Sequence, residues 1–207
     1  MTSEKQPLFK ICVIGDEKSG KTSLIKRVLF REFEKEPEPF EEMCTQGEIE
    51  YNNEKNMICF YEKIEEVVPE GSYGYHFPSF YCDQEAVIVV CDLECNDSLE
   101  NVENWIKYSD RYLLEDHFSI IVGVKSDSQN RVITKEKAET YAKSFNRQYF
   151  EVSNKTGSGI NELMEYMTCE YKKLLVLRHA KFTLKQNKKI GKKHKSKDEK
   201  DDKCCVS

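Results

Sequence analysis

An apolar run, Phe9-Lys10-Ile11-Cys12-Val13-Ile14, leads directly into Gly15-Asp16-Glu17-Lys18-Ser19-Gly20-Lys21-Thr22, and this junction limits what the chain can fold into more than any other feature. The eight residues fit the pattern GxxxxGK[ST], and a helical pattern follows, with Leu24, Ile25, Val28 and Leu29 on one stripe. A buried strand, a glycine-bounded loop and a helix in that order form a cradle for an anion. The glycines let successive N–H groups curl inward, and the helix adds its positive end. Gly15, Glu17, Lys18, Ser19 and Gly20 are therefore the expected phosphate contacts. Lys21 is expected to reach the outer phosphates, and the Thr22 hydroxyl to hold Mg²⁺.

The rest of the chain alternates in the way such a junction requires. Strands are expected at 48–51 and 57–64 around a turn at 52–55, then at 86–91, 118–124 and 149–152; helices at 22–33, 96–114, 134–146 and 159–177. Asn96 or Asp97 is the expected cap of the second helix, and Thr134 that of the third. The nearly all-apolar Ala86-Val87-Ile88-Val89-Val90-Cys91 suits a central parallel strand covered on both faces. The expected fold is α/β: one phosphate-loop domain with a mostly parallel six-stranded sheet and about five helices. Ligands of such sheets bind at the carboxyl ends of the strands.

Charge divides the chain. Ten Lys against four acids give residues 181–207 a formal charge of +6, which leaves −11 of the total −5 on residues 1–180. This break predicts a folded domain over 1–180 and a flexible lysine-rich tail over 181–207. The acidic body argues against nucleic acid as a partner. No apolar run approaches the roughly 20 residues needed to span a bilayer. The first residues lack the basic-then-apolar pattern of a secretory signal, so a reducing cytosol is the expected compartment. Seven of nine Cys are scattered without metal-ligand spacing and read as buried thiols; Cys204 and Cys205 stand together near the end.

Beyond the loop, Ser79-Phe80-Tyr81, Val87 to Asp92, Ser98, Val102, Trp105 and Asp110-Arg111-Tyr112 follow one another without gaps in a pattern that resembles a small GTPase of the Ras superfamily, most closely its Rab branch. The resemblance spans about Phe9 to Lys173. It implies GTP and GDP as ligands with Mg²⁺, and a base site at Val124-Lys125-Ser126-Asp127, where the family has NKxD. There Asp127 would accept from guanine N1 and its exocyclic amine, which rejects adenine. Lys125 would lie along the base. Val124 replaces the Asn that normally ties this loop together. The family's SAK motif corresponds to Ser153-Asn154-Lys155, and Phe33, twelve residues beyond Lys21, to the aromatic stacked on the base. Phe33 as a core aromatic at the helix end is the alternative.

The resemblance weakens at the two loops that sense the γ-phosphate. Fixed spacing from Lys21 puts Phe40 at the first-switch Thr position; a short insertion would bring Thr45 there instead, and Thr45 is the expected metal ligand. Counting back from Ser79 lays Glu66-Val67-Val68-Pro69-Glu70 over the family's DTAGQ. Glu66 would then hold Mg²⁺ through water. Pro69 would lack the N–H that binds the γ-phosphate, and Glu70 would stand in the catalytic Gln position, so hydrolysis is expected to be slow.

The terminal Cys204-Cys205-Val206-Ser207 reads as a prenylation site, either a CaaX box on Cys204 or a Rab-type pair. With the lysine run before it, the expected location is the cytoplasmic face of an anionic membrane, with a cytosolic pool. A solvated tail or localisation signal is the alternative for the lysines. The expected role is a membrane-anchored switch in vesicle trafficking or signalling. Effector, exchange-factor and activating proteins would bind through the surface around residues 38–80. Two other readings stay open: a non-cycling pseudo-GTPase serving as a tethered interaction module, and, less compatible with Asp127 and the terminal cysteines, a small-molecule kinase.

Overall fold

A computed structural model of the chain describes residues 8–38, 40, 44–51, 54–62, 83–113 and 116–201. In chain order its elements are β1 Leu8–Gly15, α1 Lys21–Phe30, β2 Cys44–Tyr51, β3 Glu54–Glu62, β4 Ala86–Asp92, α2 Asn96–Tyr112, β5 Phe118–Val124, α3 Lys135–Ser144, β6 Gln148–Glu151 and α4 Ile160–Asp201. The six strands form one sheet in the order β2-β3-β1-β4-β5-β6; only the β2–β3 pair is antiparallel. Four helices lie among the described residues, against about five expected. The chain divides into two compact units, Met1–Tyr171 and Lys172–Ser207.

Both faces of β4 are covered, as its unbroken apolar sequence demands. Every residue from Ala86 to Cys91 is buried. On one face Cys12, Ile14, Val87, Val89 and Cys91 pack with Leu99, Val102, Trp105 and Ile106 of α2 and Ala138 and Ala142 of α3. On the other, Phe9 stacks on Tyr171 with ring centroids 4.1 Å apart, and Tyr166 meets Phe118 and Phe150. Burying a side chain of this size contributes about 1.5–3 kcal/mol, so a dozen such residues anchor the sheet against the cost of ordering it.

Several boundaries differ from the sequence reading for identifiable reasons. Helix α1 stops at Phe30, not Phe33, because Arg31 turns into the left-handed region at φ 62° while its N–H still bonds to the Arg27 carbonyl. Strand β2 starts at Cys44, not Glu48, because the ladder with β3 recruits residues without an apolar alternation of their own. The cap of α2 is Cys95, which makes no side-chain bond; Asp97 falls in the first turn, where its charge meets the helix's positive end. Thr134 caps α3 as expected, its hydroxyl accepting from the Lys137 N–H at 3.3 Å. Helix α4 continues beyond Leu177, since 178–190 holds strong helix formers and neither Gly nor Pro.

β1 pairs with β3 on one side and β4 on the other, so the chain reverses its winding direction at the carboxyl end of β1. A crevice opens at such a point, and Gly15 lies there.

Candidate functional site

The loop from Asp16 to Gly20 joins β1 to α1 at this crevice. Gly15 adopts φ 146°, and a Cβ there would lie 2.6 Å from the Val90 carbonyl, so no side chain fits where the loop leaves the sheet. Gly20, the α1 N-cap, takes φ 100°. Lys21 is buried, its ammonium donating to the carbonyls of Gly15 at 3.0 Å and Asp16 at 2.6 Å. Burial pulls its pKa below the usual lysine value, against the opposing charges of Glu62, Asp16 and Glu17. Glu17 and Lys18 are exposed at the tip, with Lys18 at φ 58°. Ser19 is buried, and its hydroxyl has no partner among the described residues.

The loop is braced from α2. The Asp16 carboxylate accepts from the Trp105 indole N–H at 2.9 Å and the Asn101 amide at 3.2 Å. Trp105, expected as plain core, is thus also a polar strut. Trp105→Phe loses the bond and leaves part of the indole's buried volume unfilled; chemical denaturation should show a loss of about 1.5–3 kcal/mol.

The base-side residues are gathered at the carboxyl ends of β4, β5 and β6. Asp127 accepts from the Ser153 hydroxyl at 2.6 Å, and Ser153 in turn caps the Thr156 N–H at 2.9 Å. Lys125 sits at φ 62°, its ammonium 2.5 Å from Asp92 and 3.0 Å from Glu94. Burial alone would lower its pKa, but the two carboxylates outweigh burial and raise it. Glu94 is held in turn by Ser128, and its pKa falls through the Ser128 and Lys125 bonds. Asn154 is buried and donates from Nδ2 to the Gly20 carbonyl at 3.1 Å, joining this cluster to the phosphate loop. Arg27 of α1 grips the same loop from below, its guanidinium donating to the carbonyls of Asn154 at 2.5 Å and Lys155 at 2.6 Å. Phe33 is 38% exposed beyond the end of α1, which excludes the alternative of a core aromatic.

Among the described residues, the carboxylate that meets Thr22 is that of Glu62. Glu62, the last residue of β3, accepts from the Thr22 hydroxyl at 2.6 Å through Oε1, while its Oε2 is buried without a partner among the described residues. Burial pushes its pKa above the usual carboxylate value, partly offset by the Thr22 bond and Lys21. The pairing of Val13 with Glu62 brings it beside the loop. The parallel β1–β3 register is the signal that would have found it. Thr45 lies within β2, opposite Phe60, and is not in a loop beside Thr22. The competing Phe40 has Lys26 Nζ 6.0 Å from its ring centroid. Glu66, Pro69, Glu70, Ser79-Phe80-Tyr81, Cys204 and Cys205 lie outside the described residues.

For Mg²⁺, the donor set fits. A hydroxyl and a buried carboxylate with one oxygen unsatisfied are hard oxygen ligands of the kind that ion takes alongside phosphates and water.

A glycine-rich anion cradle at the reversal point of a parallel sheet, with a carboxylate cluster at the neighbouring strand ends, defines a nucleotide-binding α/β domain of the phosphate-loop class. The pattern of the Ras family matches residues 10–173. The Ras-related protein RabH of Dictyostelium discoideum is 27% identical over 158 residues, covering 74% of this chain and 76% of that protein. Ras-related protein Rab-21 of Bos taurus is 27% identical over 159 residues, 75% and 69% respectively. GTP-binding protein YPT52 of Saccharomyces cerevisiae is 26% identical over 211 residues, 88% of each. The chain belongs to the Ras family, and among the small GTPases of that superfamily it is Rab-like.

Proposed function

We propose that this protein binds GTP and GDP with Mg²⁺ and acts as a membrane-tethered switch in trafficking, with slow hydrolysis. The observation that carries the reading is the continuity of the crevice: Asp127, Ser153, Asn154 and Gly20 form an unbroken line of side chains and backbone from the base side to the phosphate loop. Asp127 supplies two acceptors for the N1 and amine donors of guanine, Phe33 stacks on the ring, and the Lys155 backbone faces the carbonyl oxygen. Lys21 neutralises the outer phosphates. Thr22 and Glu62 hold the metal, which supplies charge neutralisation on the phosphates when bound.

With Glu62 in the carboxylate position, the DxxGQ pattern counts on to Glu65 and Glu66 in the Gly and Gln places. The insertion that Thr45 required then disappears, and Phe40 returns to the Thr position. Both registers leave a glutamate where the family's Gln orients water. The lack of a hydroxyl at Phe40 in this register is what supports the alternative reading, a module held in one state. Calorimetric titration with GDP and a non-hydrolysable GTP analogue, in magnesium, tests both. Micromolar or tighter binding of both nucleotides and none of ATP supports the nucleotide assignment. A partner protein whose affinity changes between the two loaded forms identifies a switch, and equal affinity identifies the fixed module.

The lysine run and the Cys204-Cys205 ending support a lipid anchor on an anionic cytoplasmic surface. No helix among the described residues is long and apolar enough to cross a membrane. Effectors and regulators are expected on the surface around residues 38–80, to which β2 and β3 belong.

A further inference from the structure

We infer that Asn154 is a positioning residue that carries, from the opposite side of Gly20, the tie between base loop and phosphate loop that Val124 cannot make. The inference rests on the guanine-site reading above and concerns how that site is held together.

Gly20 is flanked by two side chains from different loops. A Cβ built on it would lie 3.4 Å from Asn154 Nδ2 and 3.6 Å from Val124 Cγ2. Position 124 is the last residue of β5, at the entry to the base loop, and is wholly buried, but its side chain has no polar atom to offer. Position 154 holds the amide, and that amide donates to the Gly20 carbonyl at 3.1 Å. Its orientation is set by chemistry: the partner is a carbonyl, so the NH₂ end must face it, and the Oδ1 end is left without a partner among the described residues. The Gly20 carbonyl also takes the first turn of α1, accepting from the Leu24 N–H at 2.9 Å. Asn154 thereby bonds the head of the helix that carries Lys21 and Thr22. The backbone of the same residue is fixed to α1 by Arg27, so its side chain has little freedom to swing elsewhere.

An amide at 124 and a small apolar residue at 154 would supply the same bond from the other wall. This chain has the two exchanged. The link couples purine recognition to phosphate holding, because the Asn154 peptide lies next to Ser153, which holds Asp127.

The test is a stopped-flow measurement of fluorescent GDP release from the full chain in magnesium. The unaltered chain must first retain GDP; if it does not, the guanine-site reading and this inference fall together. Where it does, Asn154→Ala is expected to release GDP about tenfold faster, the loss of one buried hydrogen bond. Val124→Asn in the Asn154→Ala background is expected to bring release back to within about threefold of the parent. A general packing defect at 154 would not be repaired by a change across the loop. Unchanged release in Asn154→Ala, or no recovery in the double variant, overturns the inference and leaves the nucleotide assignment standing. If Asn154→Ala does not fold, Asn154→Ser, too short to reach Gly20, replaces it with the same expectations.

Discussion

Asp127→Asn is expected to weaken GTP and GDP binding about a hundredfold or more and to bring xanthosine nucleotides up toward the affinity that GTP had. Guanine presents two donors to this position, N1–H and the exocyclic amine, and a carboxylate offers two acceptors. An asparagine offers one acceptor and one donor, which suits the N1–H and C2 carbonyl of xanthine and leaves guanine's amine facing an N–H. The substitution is gentle on the fold, since the remaining carbonyl oxygen can still accept from the Ser153 hydroxyl that now holds the acid at 2.6 Å. Competition binding with GTP, XTP and ATP reads the result. An unaltered base preference would mean that Asp127 does not face the purine.

Hydrolysis of bound GTP is expected to run at least about a hundredfold below the intrinsic rate near 10⁻⁴ s⁻¹ of an ordinary small GTPase. The reason is electrostatic. In the reaction, negative charge spreads over the γ-phosphate oxygens while a water is aligned behind them, and a carboxylate in the Gln position adds repulsion where a neutral amide should orient the nucleophile. Single-turnover release of phosphate from preloaded protein measures it directly, and a rate in the ordinary range would refute the expectation. The position of Glu62 adds a second arm. The double variant Glu65→Gly/Glu66→Gln should recover part of the rate, and Glu70→Gln should recover none; the reverse outcome would restore the register counted back from Ser79.

How much of this was legible depends on whether the information is local. The six strands were readable because each carries its own apolar signature; β4 is apolar from end to end because both its faces are covered. The start of β2 was not, since Cys44-Thr45-Gln46-Gly47 is strand only through pairing with β3. The extent of α4 was also hidden, because a lysine-rich helix shows no apolar stripe. At the candidate site, the anion loop is a contiguous motif and Asp127 stands three residues past the end of β5. Glu62 was not among the expected ligands because the count ran back from Ser79 across 63–82; the β1–β3 ladder, read from the other side, places Glu62 opposite Val13 and beside the loop. The Asp16–Trp105 bond joins residues 89 apart, and nothing in the composition of either segment announces it. Asn154 had a trace in the sequence, an amide gained at one motif and lost at another, but only the geometry around Gly20 joins the two facts.

The two-pronged hold of Arg27 on the carbonyls of Asn154 and Lys155 has a consequence for ligand exit. If a purine seats where we propose, the loop beneath it is tied to α1 by these two bonds, and moving that loop away from the helix would break both. Escape by that route then calls for concerted loosening of a helix and a loop. An event of that kind is rare at rest, steepens with heating, and is well placed to be triggered by an outside protein that pries at the far end of the same helix.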